Sequence, residues 1–273
     1  MSGRGPERQE DADARPTAGA AAPATPLRKL WDQFGTLAVA IALALSIRAF
    51  VVEPYRIPSG SMLPTLLIGD HLFVNKFVYG IKIPFTAWRT PGLREPQRGD
   101  VVVFTVGKDG RGIHPADQRP DLPHDQFVKR LVGLPGDTIE VRSGGLYVNG
   151  KAIETKDTGA DFLDDASRTL RIVNEDLDGH VHTILDDKRS PGHDIAPTKI
   201  DAGRYFMMGD NRDYSNDSRF WGTVRLAEMK GPAFLLYWSW DWDGPWAQLL
   251  NPLHWWDLMT KRMRWDRIGD SIQ

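Results

Sequence analysis

Phe127-Val-Lys-Arg-Leu-Val132 sets two cations side by side inside an otherwise apolar run. The run is short, rich in aromatic and β-branched residues and bounded by turn residues, so it reads as a strand. Side chains alternate along a strand. Phe127, Lys129 and Leu131 therefore share one face, and Val128, Arg130 and Val132 share the other. One cation must sit on an apolar face. Burial disfavours an ammonium, and a lysine kept neutral near pH 7 is a competent general base. Arginine stays protonated and cannot serve. Lys129 is the candidate for proton chemistry, unless an edge strand lets it reach water.

Working outward, His71–Val74, Val101–Phe104, Thr138–Val141, Leu146–Val148 and Tyr205–Met208 are further strand-like runs. Gly-Asp recurs at Gly69-Asp70, Gly99-Asp100, Gly136-Asp137 and Gly209-Asp210. Three of these pairs open directly into a strand-like run, which reads as repeated turn chemistry. Residues 53-245 are expected to form a mostly β domain, closed by a strand over Phe234–Tyr237. The polar stretch 143-200 is expected as an inserted subdomain, and 107–125 as a surface loop.

The two ends differ from this middle. Residues 1-27, rich in Ala, Pro, Gly and charge, are too polar to offset their ordering entropy and predict a disordered tail. Phe34–Val52 carries a single charge, Arg48, and is just long enough for the roughly 20 residues of a membrane-spanning helix. We assign residues 28-52 as an anchor, with a cleaved signal peptide or a buried core helix as competing readings. Arg28 and Lys29 before the span put the N-terminus inside, because cationic residues stay cytoplasmic. Residues 246-273 mix Trp, Leu and Met with Lys and Arg and are expected at a membrane surface.

The composition excludes several chemistries. Lys and Arg number 34 against 36 Asp and Glu, so no basic field points to nucleic acid. There is no cysteine, which removes disulfides, thiolate ligands and a cysteine nucleophile. None of the seven histidines has the spacing of a metalloprotease helix, and a histidine-based triad has no supporting motif.

A serine nucleophile needs a base. Pro58-Ser-Gly-Ser-Met62 is a hydroxyl-rich turn that can expose an Oγ and aim an N–H, although such turns are also ordinary linkers. It lies nine residues beyond Val52, within about 30 Å of reach, so chemistry at Ser61 would occur near the membrane. Gly209–Gly222 (GDNRDYSNDSRFWG) is a hydrogen-bonding segment in which Asp217 and Arg219, two apart in an extended chain, could pair. Ser215 could bond a nearby amine.

Together these segments resemble the type I signal peptidases, serine/lysine proteases that release exported proteins from the membrane. The resemblance runs through Glu53–Pro84 (EPYRIPSGSMLPTLLIGDHLFVNKFVYGIKIP), Arg98–Phe104, Val128–Asp137 and Met208–Gly222. It implies Ser61 as nucleophile, Lys129 as base, and an oxyanion hole from the Ser61 N–H and the Ser59 hydroxyl. It also implies Ser215, Asp217 and Arg219 as supporting residues and Met62 at the substrate cleft. The implied fold is a signal-peptidase-like, SOS-repressor-like β core with a β insertion, preceded by one N-terminal transmembrane helix. The implied setting is the bacterial inner (cytoplasmic) membrane, crossed once, with the catalytic domain extracytoplasmic. The implied substrates are pre-proteins cut after a small-x-small motif. The lipid bilayer is an implied partner and the protein export machinery a candidate one, with no nucleic acid, metal or cofactor. A self-cleaving Ser/Lys regulator and a non-enzymatic envelope peptide-binding β protein are the alternatives. The first would carry a DNA-binding domain in place of the apolar span.

Overall fold

The computed structural model describes residues 26–81, 88–105, 126–190, 192–241 and 252–272. Most of the expected tail and the expected loop at 107–125 lie outside the described residues. The chain divides into two units, Met1–Leu45 and Ser46–Gln273.

Helix α1 (Pro26–Phe50), most of which lies in the first unit, is 25 residues long, about 37 Å at 1.5 Å per residue. Phe34, Leu37, Val39, Ile41, Leu43 and Leu45 are all exposed. Among the described residues no helix is long and apolar enough to cross a membrane.

The second unit is mostly β, as expected. In chain order its first strands are β1 (Val52–Arg56), β2 (Asp70–Asn75), β3 (Val101–Thr105), β4 (Gln126–Gly133), β5 (Thr138–Arg142) and β6 (Gly145–Val148). There follow β7 (Lys151–Ala152), β8 (Glu154–Leu163), β9 (Thr169–Leu177), β10 (His180–Asp186) and β11 (Ile195–Lys199). Then come β12 (Arg204–Met208), a helical turn α2 (Ser218–Trp221), β13 (Val224–Arg225), β14 (Met229–Ser239) and helix α3 (Pro252–Asp257). The main sheet has the order β1-β2-β14-β3-β4-β12-β13. The closing strand β14 is much longer than the expected Phe234–Tyr237.

Three of the Gly-Asp pairs form one turn repeated. Gly69, Gly99 and Gly136 have φ of 88°, 96° and 92°, the left-handed region that the third position of a type II turn requires. In each, the Asp N–H donates to the carbonyl three residues back, at Leu67, Gln97 and Leu134. Each Asp carboxylate then accepts the N–H of that same residue. These turns launch β2, β3 and β5.

Strand β4 lies between β3 and β12. Both its faces are apolar. Phe127 and Leu131 pack with Val102, Phe104 and Trp221. On the other side Val128 packs with Met62, Val101 and Val103. Val132 belongs to a third cluster with Ile139, Val141 and Phe206. Both adjacent cations are therefore buried: Arg130 is 1% exposed and Lys129 3%.

The insertion consists of two small sheets, β11-β5-β6-β7 and β10-β9-β8. The first begins at Thr138 rather than residue 143, because β5 pairs with both β6 and β11. It is joined to the core by buried Arg98, which pairs with Asp137 at 3.0 Å and Asp178 at 2.7 Å. The second sheet meets the 209–222 segment. There buried Arg212 grips Glu175 of β9 with two nitrogens, and the Leu185 N–H of β10 donates to the Asp210 carbonyl at 2.8 Å.

The C-terminal segment, expected as a single stretch over 246-273, splits in two. Around α3, Trp255 and Trp256 are exposed. Beyond it, residues 269–272 run along β14, with Leu236 and Ile272 donating to Asp270 and Phe234 carbonyls. Arg267 and Arg264 both pair with buried Asp70.

Candidate active site

The Ser61 turn is short and held from below. β1 ends at Arg56, Ser59 stays extended, and Gly60–Met62 make one 3-10 turn. Met62, expected at the cleft, instead points into the core, 1% exposed beside Ile57, Leu66 and Leu72. A long apolar side chain after a small hydroxyl residue gains more by burial than by lining a wet groove. It thereby pins the turn. The Ser59 hydroxyl makes no cap hydrogen bond.

β4 brings Lys129 to this turn. Its Nζ donates to Ser61 Oγ at 2.5 Å across 68 residues of sequence. Among the described residues Lys129 has no ion-pair partner. Burial lowers its pKa, only partly offset by the more distant Asp217 and Asp210 carboxylates, so it stands at about 8 against an ordinary 10.5. About a tenth of it is therefore neutral at pH 7, far more than for an ordinary lysine, and a neutral amine within hydrogen-bond reach can take the serine proton.

The 209–222 segment packs against both. The Gly209 N–H donates to Asp217 Oδ2 at 2.9 Å. Asp217 and Arg219 pair bidentately, both contacts at 2.8 Å. They do so without an extended chain: Asp217 caps α2 and accepts the Arg219 N–H. Arg219 also donates to the Arg212 carbonyl at 2.6 Å. Ser215 is buried, and its Oγ has no hydrogen-bond partner, so the expected bond to an amine is not formed. That Oγ lies 2.2 Å from where a Cβ on Gly209 would fall, which leaves room only for glycine.

A cleft of about 370 Å³ joins these parts, with Ser59, Ser61, Lys129, Phe127, Asn211 and Asp165 among its lining. Asp165 belongs to the β8–β9 turn, so the insertion forms one wall. Buried Asp164 holds that turn by accepting from the Ala166 and Arg168 N–H groups. Arg168 in turn stacks 3.4 Å above the Tyr214 ring.

This arrangement can be set beside known proteins. The profile of the signal peptidases, peptidase S26, matches residues 30–238. The chain belongs to that family. A signal peptidase I of Pseudomonas aeruginosa is 41% identical over 212 residues, covering 72% of this chain and 69% of that protein. A probable signal peptidase I-2 of Synechocystis is 33% identical over 216 residues, covering 78% and 76%. A solved signal peptidase I of Enterococcus faecalis aligns with 28% identity over 51% of this chain and 97% of that one, at a TM-score of 0.32, too low to argue from. As a signal peptidase, the chain is a serine endopeptidase that removes signal peptides from pre-proteins.

Two parts of this signal peptidase site escaped the sequence reading. Asn211 binds the backbone of the Ser61 turn, and the Asp164–Arg168 turn walls the cleft. Asn211 stood in a segment that was already suspect, among many equally polar neighbours. The wall lies in a polar insertion with nothing to connect it to Ser61.

Proposed function

We propose that the chain cuts pre-proteins after a small-x-small motif, with Ser61 as nucleophile and Lys129 as general base. The observation that carries this is the 2.5 Å contact between Lys129 Nζ and Ser61 Oγ, made by a buried lysine whose pKa is drawn down to about 8. Neutral Lys129 takes the Ser61 proton as Oγ attacks the scissile carbonyl. The Ser61 N–H and Ser59 hydroxyl stabilise the oxyanion, at about 3 kcal/mol per donor. The ammonium returns its proton to the departing amine, and the neutral lysine then activates water to hydrolyse the acyl-enzyme. Asp217 and Arg219 hold the supporting segment, Ser215 fills the space beside Gly209, and Met62 anchors the turn. No step calls for a metal or cofactor.

The membrane setting is part of the same proposal. Although no described helix meets the length and apolarity of a span, the apolar run Phe34–Val52 and the apolar side chains exposed along α1 support residues 28-52 as a single-pass anchor, with residues 1-27 cytoplasmic and the catalytic domain, 53-245, on the far side of the bacterial inner membrane. Exposed Trp255, Trp256 and Trp265 support a second contact, since indoles favour the headgroup level. Loss of vesicle binding by a Trp255→Ser/Trp256→Ser ectodomain is the expected result for that contact.

Incubation with a pre-protein, followed by mass analysis, tests the reaction. Cleavage after a small-x-small motif is expected, abolished by Ser61→Ala and by Lys129→Ala with the fold intact. Substantial cleavage by the Lys129→Ala chain would overturn the lysine-base reading.

A further inference from the structure

The Ser61 turn makes its polar contacts to the 209–222 segment through one residue. Asn211 Nδ2 donates to the Gly60 carbonyl at 3.0 Å. The Asn211 backbone N–H donates to the Ser61 carbonyl at 3.2 Å. Asn211 therefore grips the carbonyls on both sides of the Ser61 Cα. A peptide unit is planar and trans, so the Gly60 C=O and the Ser61 N–H point in opposite directions from one rigid plate. Fixing the oxygen fixes where the N–H points.

Asn211 is itself held firmly. Leu185 binds the preceding carbonyl, and the Tyr214 N–H donates to the Asn211 carbonyl at 3.1 Å. Its side chain nevertheless bears a cost. Asn211 is 2% exposed, and its Oδ1 has no hydrogen-bond partner. A buried orphan acceptor destabilises a fold. Stability alone does not account for an asparagine here, whereas a need for its Nδ2 does.

We propose that Asn211 is a positioning residue for the oxyanion hole: its side-chain amide sets the orientation of the Gly60–Ser61 peptide so that the Ser61 N–H meets the developing oxyanion. The inference rests on the proposed roles of Ser61 and Ser59. Because Asn211 acts on a donor that works only once charge develops, its removal should spare substrate binding and slow the chemistry.

The test compares Asn211→Ala, Asn211→Asp and Ser59→Ala with the unaltered chain, each assayed on a cleavable signal-peptide substrate. Each is also titrated with a matching peptide aldehyde, which Ser61 Oγ attacks to form a hemiacetal, its proton passing to the new oxygen. An uncleavable peptide with proline after the scissile residue reports ground-state binding. For both Asn211 variants, kcat is expected to fall about 10- to 100-fold with KM within about twofold. Aldehyde affinity should fall in parallel while the uncleavable peptide binds as before. Asn211→Asp keeps the shape and lacks the donor, so it should share the defect. The melting temperature of Asn211→Ala is measured alongside, because the substitution removes the orphan oxygen but also strands the Gly60 carbonyl. Three results overturn the inference and leave the dyad standing: Ser59→Ala weakens the aldehyde but the Asn211 variants do not; aldehyde and uncleavable peptide weaken equally; or the loss tracks a lowered melting temperature. Failure of the unaltered chain to capture the aldehyde overturns the reading of Ser61 and this inference together.

Discussion

The two faces of β4 treat two neighbouring cations in opposite ways. On one face Arg130 meets Asp210 through two bonds of 2.8 Å and donates to the Gly99 carbonyl at 2.7 Å. Burial alone would raise the Asp210 pKa, but the guanidinium outweighs it and holds the carboxyl below its usual range. On the other face Lys129, among the described residues, has no carboxylate partner and one side-chain hydrogen bond, to Ser61. Here burial wins and the charge is weakened. One cation meets a carboxylate and ties the sheet to the 209–222 segment. The other lacks a partner and becomes a base.

The comparison predicts mutational effects of opposite sign. Removing one member of the buried pair, by Asp210→Asn or Arg130→Leu, strands the other and should destabilise the chain by about 3–5 kcal/mol. Urea unfolding measures this, and a loss below 1 kcal/mol would break the contrast. Lys129→Met should do the reverse at neutral pH. The folded pKa of Lys129 lies below its unfolded value, so the protonated lysine costs stability below about pH 8. That cost shrinks as pH rises toward the ordinary lysine value. The methionine variant should therefore gain up to about 3 kcal/mol at pH 6.5 and much less at pH 10. A variant less stable than the parent at both pH values would contradict this. The smallest change, Gly209→Ala, presses on the lysine's side, since its Cβ would fall 2.2 Å from Ser215 Oγ and 2.5 Å from the Ser61 carbonyl oxygen. It should cost about 1–3 kcal/mol of stability and lower kcat/KM more than stability alone explains. Unchanged kinetics would show that the 209–222 segment does not set the position of Ser61.

The sequence made one side of this contrast legible. The alternation in β4 singled out Lys129, and the Gly-Asp turns marked where β2, β3 and β5 begin. Those signals are local, carried by neighbours within a few residues. Arg130 finds Asp210 across 80 positions and Lys129 finds Ser61 across 68, distances at which no spacing rule operates. The resemblance, not periodicity, joined those segments. The insertion was harder to read because β8 is exposed along nearly its whole length and so lacks an alternating apolar pattern. Met62 was misplaced for a related reason: a residue next to a reactive serine can face the substrate or the core, and its apolar character fits both.

The central claim is that Lys129 works as a neutral base because burial, unopposed by a close carboxylate, lowers its pKa. The pH dependence of kcat/KM on a peptide spanning a signal-peptide cleavage site tests it most directly. The predicted profile rises about tenfold per pH unit at low pH and levels off above about pH 8. A rise that continues to the ordinary lysine range near 10.5, or a rate that does not depend on pH between 6 and 9, would contradict it.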